Sequence, residues 1–286
     1  MKNQGVRSST LALLMARVGA NDAHHTLAAH DLAVPAEFLN RCFDLHNALQ
    51  TTKTVNPGEK VAIVGATGSG KTTLISLLFR FYEKQRGAIR IDGIDVADVR
   101  INDLRTHLGL VLQDVFLFTG DYAGNVRLRN ENISDESVRQ ALHRVGYDRF
   151  LKREENGIHT EVKERGATLS TGQKQLLSFA RALAFNPQIL ILDEATSSVD
   201  TETEQLIQKA LDELLKGRTS IIIAHRLSTI EKADKIIVLH HGQVREIGKH
   251  EELLKKRGIY YKLYEMQYKS QLPESKTETL ETRTAS

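Results

Sequence analysis

A chain of 286 residues, 41% hydrophobic and 26% charged, has the composition of a globular protein with room for one buried core and an inserted subdomain. Its 39 Lys plus Arg are interspersed with 36 Asp plus Glu for a formal charge of +3, so no nucleic-acid partner is expected. The single cysteine, Cys42, excludes an intrachain disulfide and fits a reducing compartment, and no apolar run reaches the roughly 18 residues of a membrane-spanning helix.

Residues 1–50 show no period that assigns them to a fold. The apolar stretch at 9–20 is interrupted by Arg17 and follows only Lys2 and Arg7, so it does not read as an export signal. His24, His25 and His30 lack a Cys or further His at metal-ligand spacing and read as solvent-exposed. From Val61 onward the pattern changes, and short apolar runs (VAIVG, LGLVLQD, ILILDE, SIIIAH, KIIVLHHG) alternate with helical segments. Such alternation predicts an α/β fold with a mostly parallel central sheet.

Between the first strand and the first helix stands Gly65-Ala66-Thr67-Gly68-Ser69-Gly70-Lys71-Thr72, followed by Thr73, a match to G-x-x-x-x-G-K-[ST] in the context its mechanism needs. Glycines let successive backbone N–H groups converge on phosphate oxygens, and the helix N-terminus adds about half a positive charge. In that reading Lys71 binds the β- and γ-phosphates of a nucleoside triphosphate and Thr72 ligates Mg²⁺. The following KTTLISLLFRFY places Leu74, Leu77, Leu78 and Phe81 at i, i+3, i+4 and i+7, which predicts a helix over 71–82 with one apolar face on the sheet.

Gln113 ends the next strand-like run, LGLVLQ, with the polarity to sense Mg²⁺ or water. From about 116 to 177 the sequence turns polar and helical (ESVRQALHRVGYDRFL), which suggests an inserted helical subdomain. Near its end, Leu169-Ser170-Thr171-Gly172-Gln173 opens a helix whose N-terminal N–H groups can meet an anion. The buried strand ILILDE then presents Asp193, suited to hold Mg²⁺ through water, and Glu194, suited to take a proton from a water attacking the γ-phosphate. Taken alone, these carboxylates also fit the polar end of an ordinary strand. The segment TETEQLIQKALDELLKG predicts a second amphipathic helix ending at Gly217. His225 ends SIIIA and is placed either to hydrogen-bond a γ-phosphate or as a structural imidazole. The Thr-, Glu-, Ser- and Lys-rich stretch at 269–286 reads as a disordered tail.

In combination, GATGSGKT, Gln113 in VLQD, ERGATLSTGQKQLLSFARAL, ILILDEATSSVD and IIIAHRLSTI resemble the nucleotide-binding domain of ATP-binding cassette (ABC) transporters, the exporter type in particular. The resemblance covers about 56–268 and assigns 51–268 to an ATP-binding domain. It implies a P-loop NTPase core with a small antiparallel β region near 88–93, an inserted helical subdomain, ATP and Mg²⁺, and an ATPase acting at the cytoplasmic face of the membrane. It further implies a head-to-tail dimer, homo- or heterodimeric, in which Ser170, Thr171, Gly172 and Gln173 of one chain face the γ-phosphate held by another and Asp200 reaches across. The membrane-spanning partner would be another chain or an absent half, as in a truncated product, and Glu164-Arg165-Gly166 looks like the exporter stretch that couples to it. Two departures stand out: Thr171 replaces the usual Gly, and residues 1–50 lack the usual adenine-stacking strand, with only Phe43 at an approximate distance. The alternative is a nucleotide-binding interaction module without significant turnover.

Overall fold

The computed structural model describes residues 11–14, 53–84, 86–193, 201–224 and 226–267. They fall into two compact units, Met1–Leu104 with Ile223–Ser286 and Arg105–Ile222. The strands are β1 (Leu11–Leu14), β2 (Lys53–Val55), β3 (Lys60–Val64), β4 (Ala88–Ile91), β5 (Ile94–Asp95), β6 (Leu108–Val111), β7 (Gly120–Asp121), β8 (Glu161–Val162), β9 (Ile189–Asp193), β10 (Thr219–Ile223), β11 (Lys235–His240) and β12 (Gln243–Gly248). The helices are α1 (Lys71–Leu78), α2 (Ile101–His107), α3 (Tyr122–Arg127), α4 (Asp135–Arg144), α5 (Asp148–Leu151), α6 (Thr171–Phe185), α7 (Thr201–Leu215), α8 (Leu227–Glu231), α9 (His250–Lys256) and α10 (Ile259–Gln267).

In the first unit β3 runs parallel to β11, with Val64 opposite Val238, and β12 folds back antiparallel on β11. Val61, Ala62, Ile63 and Val64 are all buried, the continuous apolar run of a strand covered on both faces. A separate antiparallel sheet has the order β2-β1-β4-β5. Leu11 pairs with Val55 on one side and Ile91 on the other, so the segment that the sequence left unassigned supplies a central strand there.

The second unit has the strand order β10-β9-β6, with β6 and β9 parallel and Ile189, Leu190, Ile191 and Leu192 buried. Residues 116–177 hold α3, α4, α5, the start of α6 and the two-residue pair β7–β8. The α7 helix buries Ile207, Ala210, Leu211 and Leu214 on one face, and Gly217, two residues beyond it, has φ +70°.

The helix expected over 71–82 ends four residues early. Phe79 caps α1, Arg80 turns left-handed at φ 49°, and Phe81 N–H donates to Ser76 O at 2.8 Å. Two hydrogen bonds hold that turn, from the Arg80 guanidinium to Val96 O at 3.0 Å and Val99 O at 2.7 Å. Phe81 therefore leaves the core face and stacks on Phe79 at 5.5 Å, 48% exposed, while Leu78 is 1% exposed. Periodicity cannot reveal this, because the bonds that end the helix come from a distant segment. Replacing Leu78 by Ala should cost about 2–5 kcal/mol in urea unfolding, and Phe81→Ala well under half as much; equal costs would mean that the helix continues.

Candidate functional site

The loop at 65–70 lies in the first unit, between β3 and α1. At Gly65 a Cβ would stand 2.3 Å from Leu239 O and 2.5 Å from Ser69 Oγ, so only glycine fits. Gly70 is the N-cap of α1 in the left-handed region, φ 100°, and no side chain caps the helix. A helix start that opens on a glycine-rich turn without a side-chain cap suits an anion. Lys71 is buried, and its ammonium donates to Gly65 O at 2.8 Å and Ala66 O at 3.1 Å. The side chain is folded back over the loop that precedes it. Ser69 is also buried, and its Oγ has no hydrogen-bond partner among the described residues. Ala66, Thr67, Gly68 and Thr72 are exposed and Thr73 is half-buried.

Gln113, Asp193 and residues 170–173 lie in the second unit. Gln113 is exposed, two residues past the end of β6, and Asp193 is the half-buried last residue of β9. Ser170 is the N-cap of α6, where the Gln173 N–H donates to Ser170 Oγ at 3.2 Å and the Ser170 N–H donates to Gln173 Oε1 at 2.8 Å. This reciprocal capping box satisfies part of the helix end within the chain itself. It engages the N–H groups of Ser170 and Gln173; those of Thr171 and Gly172 are not part of it. Because Ser170 Oγ accepts, its own proton is directed elsewhere. Thr171 is exposed at the first helical position and its backbone is not left-handed, so the fold does not require the usual glycine there. Gly172 is buried and Gln173 half-buried. Glu194, Asp200, His225 and Phe43 lie outside the described residues.

Sequence reasoning missed what joins the Gln113 segment to the α6 helix. Arg181, on α6, donates to Asn125 O at 3.0 Å and to Phe116 O at 3.3 Å. Asn125 in turn accepts the Phe118 N–H at 2.8 Å and donates to Phe118 O at 2.8 Å and Asp121 O at 3.0 Å. Burial lowers the pKa of Arg181 from its ordinary value. One signal was legible: an arginine amid Leu177, Phe179, Ala180 and Ala182 must find buried acceptors. Leu112, Phe116 and Phe118 meanwhile remain about half exposed, the two rings edge to face at 5.0 Å.

His159 forms a second junction, its Nδ1 2.9 Å from Asp121 Oδ2 and its Nε2 3.1 Å from Asp135 Oδ2. Asp121 also caps α3 by accepting the Gly124 N–H at 2.6 Å. Donation from both ring nitrogens requires the imidazolium, and the hydrogen bonds to Asp121 and then Asp135 raise the His159 pKa. Asp135 is held low, first by its bond to Arg127.

The family model described as ABC transporter matches residues 49–197, and the chain belongs to that family. Among similar proteins, a probable multidrug resistance ABC transporter ATP-binding/permease protein, YheH of Bacillus subtilis, is 53% identical over 214 residues, 75% of this chain and 32% of that protein. An ATP-dependent lipid A-core flippase of Chromobacterium violaceum is 47% identical over 75% of this chain and 37% of its own length. A solved bacterial Atm1-family ABC exporter with ATP bound is similar at a TM-score of 0.75 and 37% identity, covering 93% of this chain and 43% of that one. The chain thus spans less than half the length of each of these three relatives.

Two outcomes follow from this geometry. Gly65→Ala should weaken ATP binding by on the order of tenfold or more, about 1.4 kcal/mol, with circular dichroism unchanged; undiminished affinity would mean that the loop tolerates a Cβ. His159, with its pKa raised in the fold, stabilises fully below its unfolded value near 6.5, and that contribution is lost as pH rises through the higher folded value. Asp135 bounds the window from below, since its contribution is lost as pH falls through its depressed pKa. The melting-temperature gap between wild type and His159→Gln should be largest near pH 6 and shrink by about pH 9; a gap independent of pH would contradict the doubly bonded imidazolium.

Proposed function

We propose that the chain is the ATP-binding and ATP-hydrolysing part of an ABC exporter, driving transmembrane export through ATP-dependent head-to-tail dimerisation. The observation that carries this reading is the loop at 65–70 with Lys71 folded over it: a buried ammonium bonded to two carbonyls beside a helix start with no side-chain cap. An incoming triphosphate offers Lys71 anionic oxygens in place of neutral carbonyls, adding ion–ion attraction to bonds that are already charge-assisted. Gly65, Ala66, Thr67, Gly68, Ser69 and Gly70 line the phosphates with backbone groups, Lys71 takes the β- and γ-phosphates, and Thr73 completes the first turn.

The donor set suits Mg²⁺, because the Thr72 hydroxyl is exposed at the loop and Asp193 ends a strand as a carboxylate, both hard oxygen ligands. Thr72, Gln113 and Asp193 would hold the ion, which when bound neutralises charge on the phosphate oxygens. Glu194 then accepts a proton from the attacking water, His225 bonds the γ-phosphate and Gln113 orients the water. Ser170, exposed at the helix start, joins Thr171, Gly172, Gln173 and Asp200 in closing the site of a second nucleotide-binding domain, identical or related.

The three half-exposed apolar side chains Leu112, Phe116 and Phe118 suit contact with an exporter's transmembrane domain. They flank Gln113, and the backbones of Phe116 and Phe118 are bonded through Arg181 and Asn125 to α6, which gives the partner's movement a route to the signature helix. Similarity to proteins named as multidrug transporter, lipid A-core flippase and Atm1-family exporter supports the exporter type. Among the described residues no helix is long and apolar enough to cross a membrane. A membrane-spanning partner or half would hold the chain at the cytoplasmic face.

Glu194→Gln should lower phosphate release by about 10²- to 10⁴-fold, some 3–5 kcal/mol of barrier, while ATP binding and ATP-induced dimerisation persist. Unchanged turnover would remove Glu194 from the mechanism.

A further inference from the structure

The turn between β11 and β12 touches both ends of the phosphate loop. β11 pairs with β3 up to Val238 opposite Val64, so the two chains leave the sheet side by side. Leu239 O stands 2.3 Å from where a Cβ on Gly65 would be, and the Gly242 N–H donates to Ser69 O at 3.0 Å. A Cβ on Gly70 would lie 3.5 Å from Gly242 Cα. His240 and Gln243 are cross-strand partners, and the two residues between them, His241 at φ 48° and Gly242 at φ 72°, are both left-handed. This is the two-residue hairpin turn with positive φ at both central positions, which glycine favours and asparagine tolerates.

The bond to Ser69 has a consequence for the next peptide. Among the described residues no peptide is cis, and a planar trans peptide points its C=O and the following N–H to opposite sides. With the Ser69 carbonyl drawn to Gly242, the Gly70 N–H is turned away from the hairpin, at the N-cap of α1. We propose that Gly242 is a positioning residue for the nucleotide: its N–H fixes the Ser69–Gly70 peptide plane so that the Gly70 N–H is aimed at a phosphate oxygen before ATP arrives. This rests on the reading of the loop as the phosphate site. The sequence pattern ends its phosphate motif at Thr72, so it cannot locate this contributor, 170 residues on.

The full chain and a fluorescent ATP analogue test the idea with four variants. Gly242→Ala, strained at positive φ, should raise the dissociation constant about tenfold, the loss of one aligned bond to a charged group. In turnover it should raise KM with kcat little changed, since the bond exists in ground and transition states alike. Gly242→Asn, which keeps both the N–H and the left-handed turn, should restore most of the affinity. Gly217→Ala places the same strain, φ 70° with nothing within 4 Å of the added Cβ, and should leave ATP affinity at the wild-type value. Equal drops in melting temperature for Gly242→Ala and Gly217→Ala with no change in ATP affinity would overturn the proposal, leaving the turn a structural one. Lys71→Ala separates the two readings: if it too leaves affinity intact, the loop is not the phosphate site and the role of Gly242 falls with it.

Discussion

The hydrogen bonds from the buried Lys71 ammonium to the carbonyls of Gly65 and Ala66 set the terms for the rest of the site. A cation held on neutral acceptors in a half-dry loop is satisfied enough to fold and is still better satisfied by an anion. That asymmetry needs a loop drawn in tightly, and tightness comes from Gly65, which admits Leu239 O at a distance no Cβ would allow. The apolar run Val61, Ala62, Ile63 and Val64 anchors the loop's entry in the core, so the polar chemistry stands on a rigid strand rather than on another loop.

In the proposed exporter the second unit would have a different task, that of transmitting movement. Arg181 and Asn125 link the backbone of the Gln113 segment to the helix that begins at Ser170, and His159 ties the cap of α3 to the first turn of α4. A half-buried guanidinium bonded to main-chain oxygens fixes their direction, because its removal would leave those carbonyls without their partner. In the proposed exporter these bonds make the exposed Phe116 and Phe118 and the signature helix parts of one body.

The strands and the phosphate loop were legible because their signals are local: continuous apolar runs for two-sided burial, glycines at fixed spacing for close backbone approach. The serine–glutamine pair of the capping box is also legible, three residues apart at the start of the helix. What stayed hidden depends on partners far along the chain. Arg80 ends α1 through Val96 and Val99, and Gly242 reaches Ser69 across the sheet. The strand Leu11–Leu14 escaped because four apolar residues between irregular segments carry no period; only its pairing with Val55 and Ile91 gives it a place. Residues 194–200 and 225 fall outside the described structure, so Glu194, Asp200 and His225 rest on the motif alone.

The central claim is that each active site draws its phosphate loop from one chain and its signature helix from another. Mixing two inactive variants, Lys71→Ala and Ser170→Arg, tests it most directly, with phosphate release as the readout. If the site is intermolecular, a mixed dimer holds one intact Lys71 facing one intact Ser170, and random pairing should recover turnover to about a quarter of wild type. A mixture as inactive as its separate components would contradict the account.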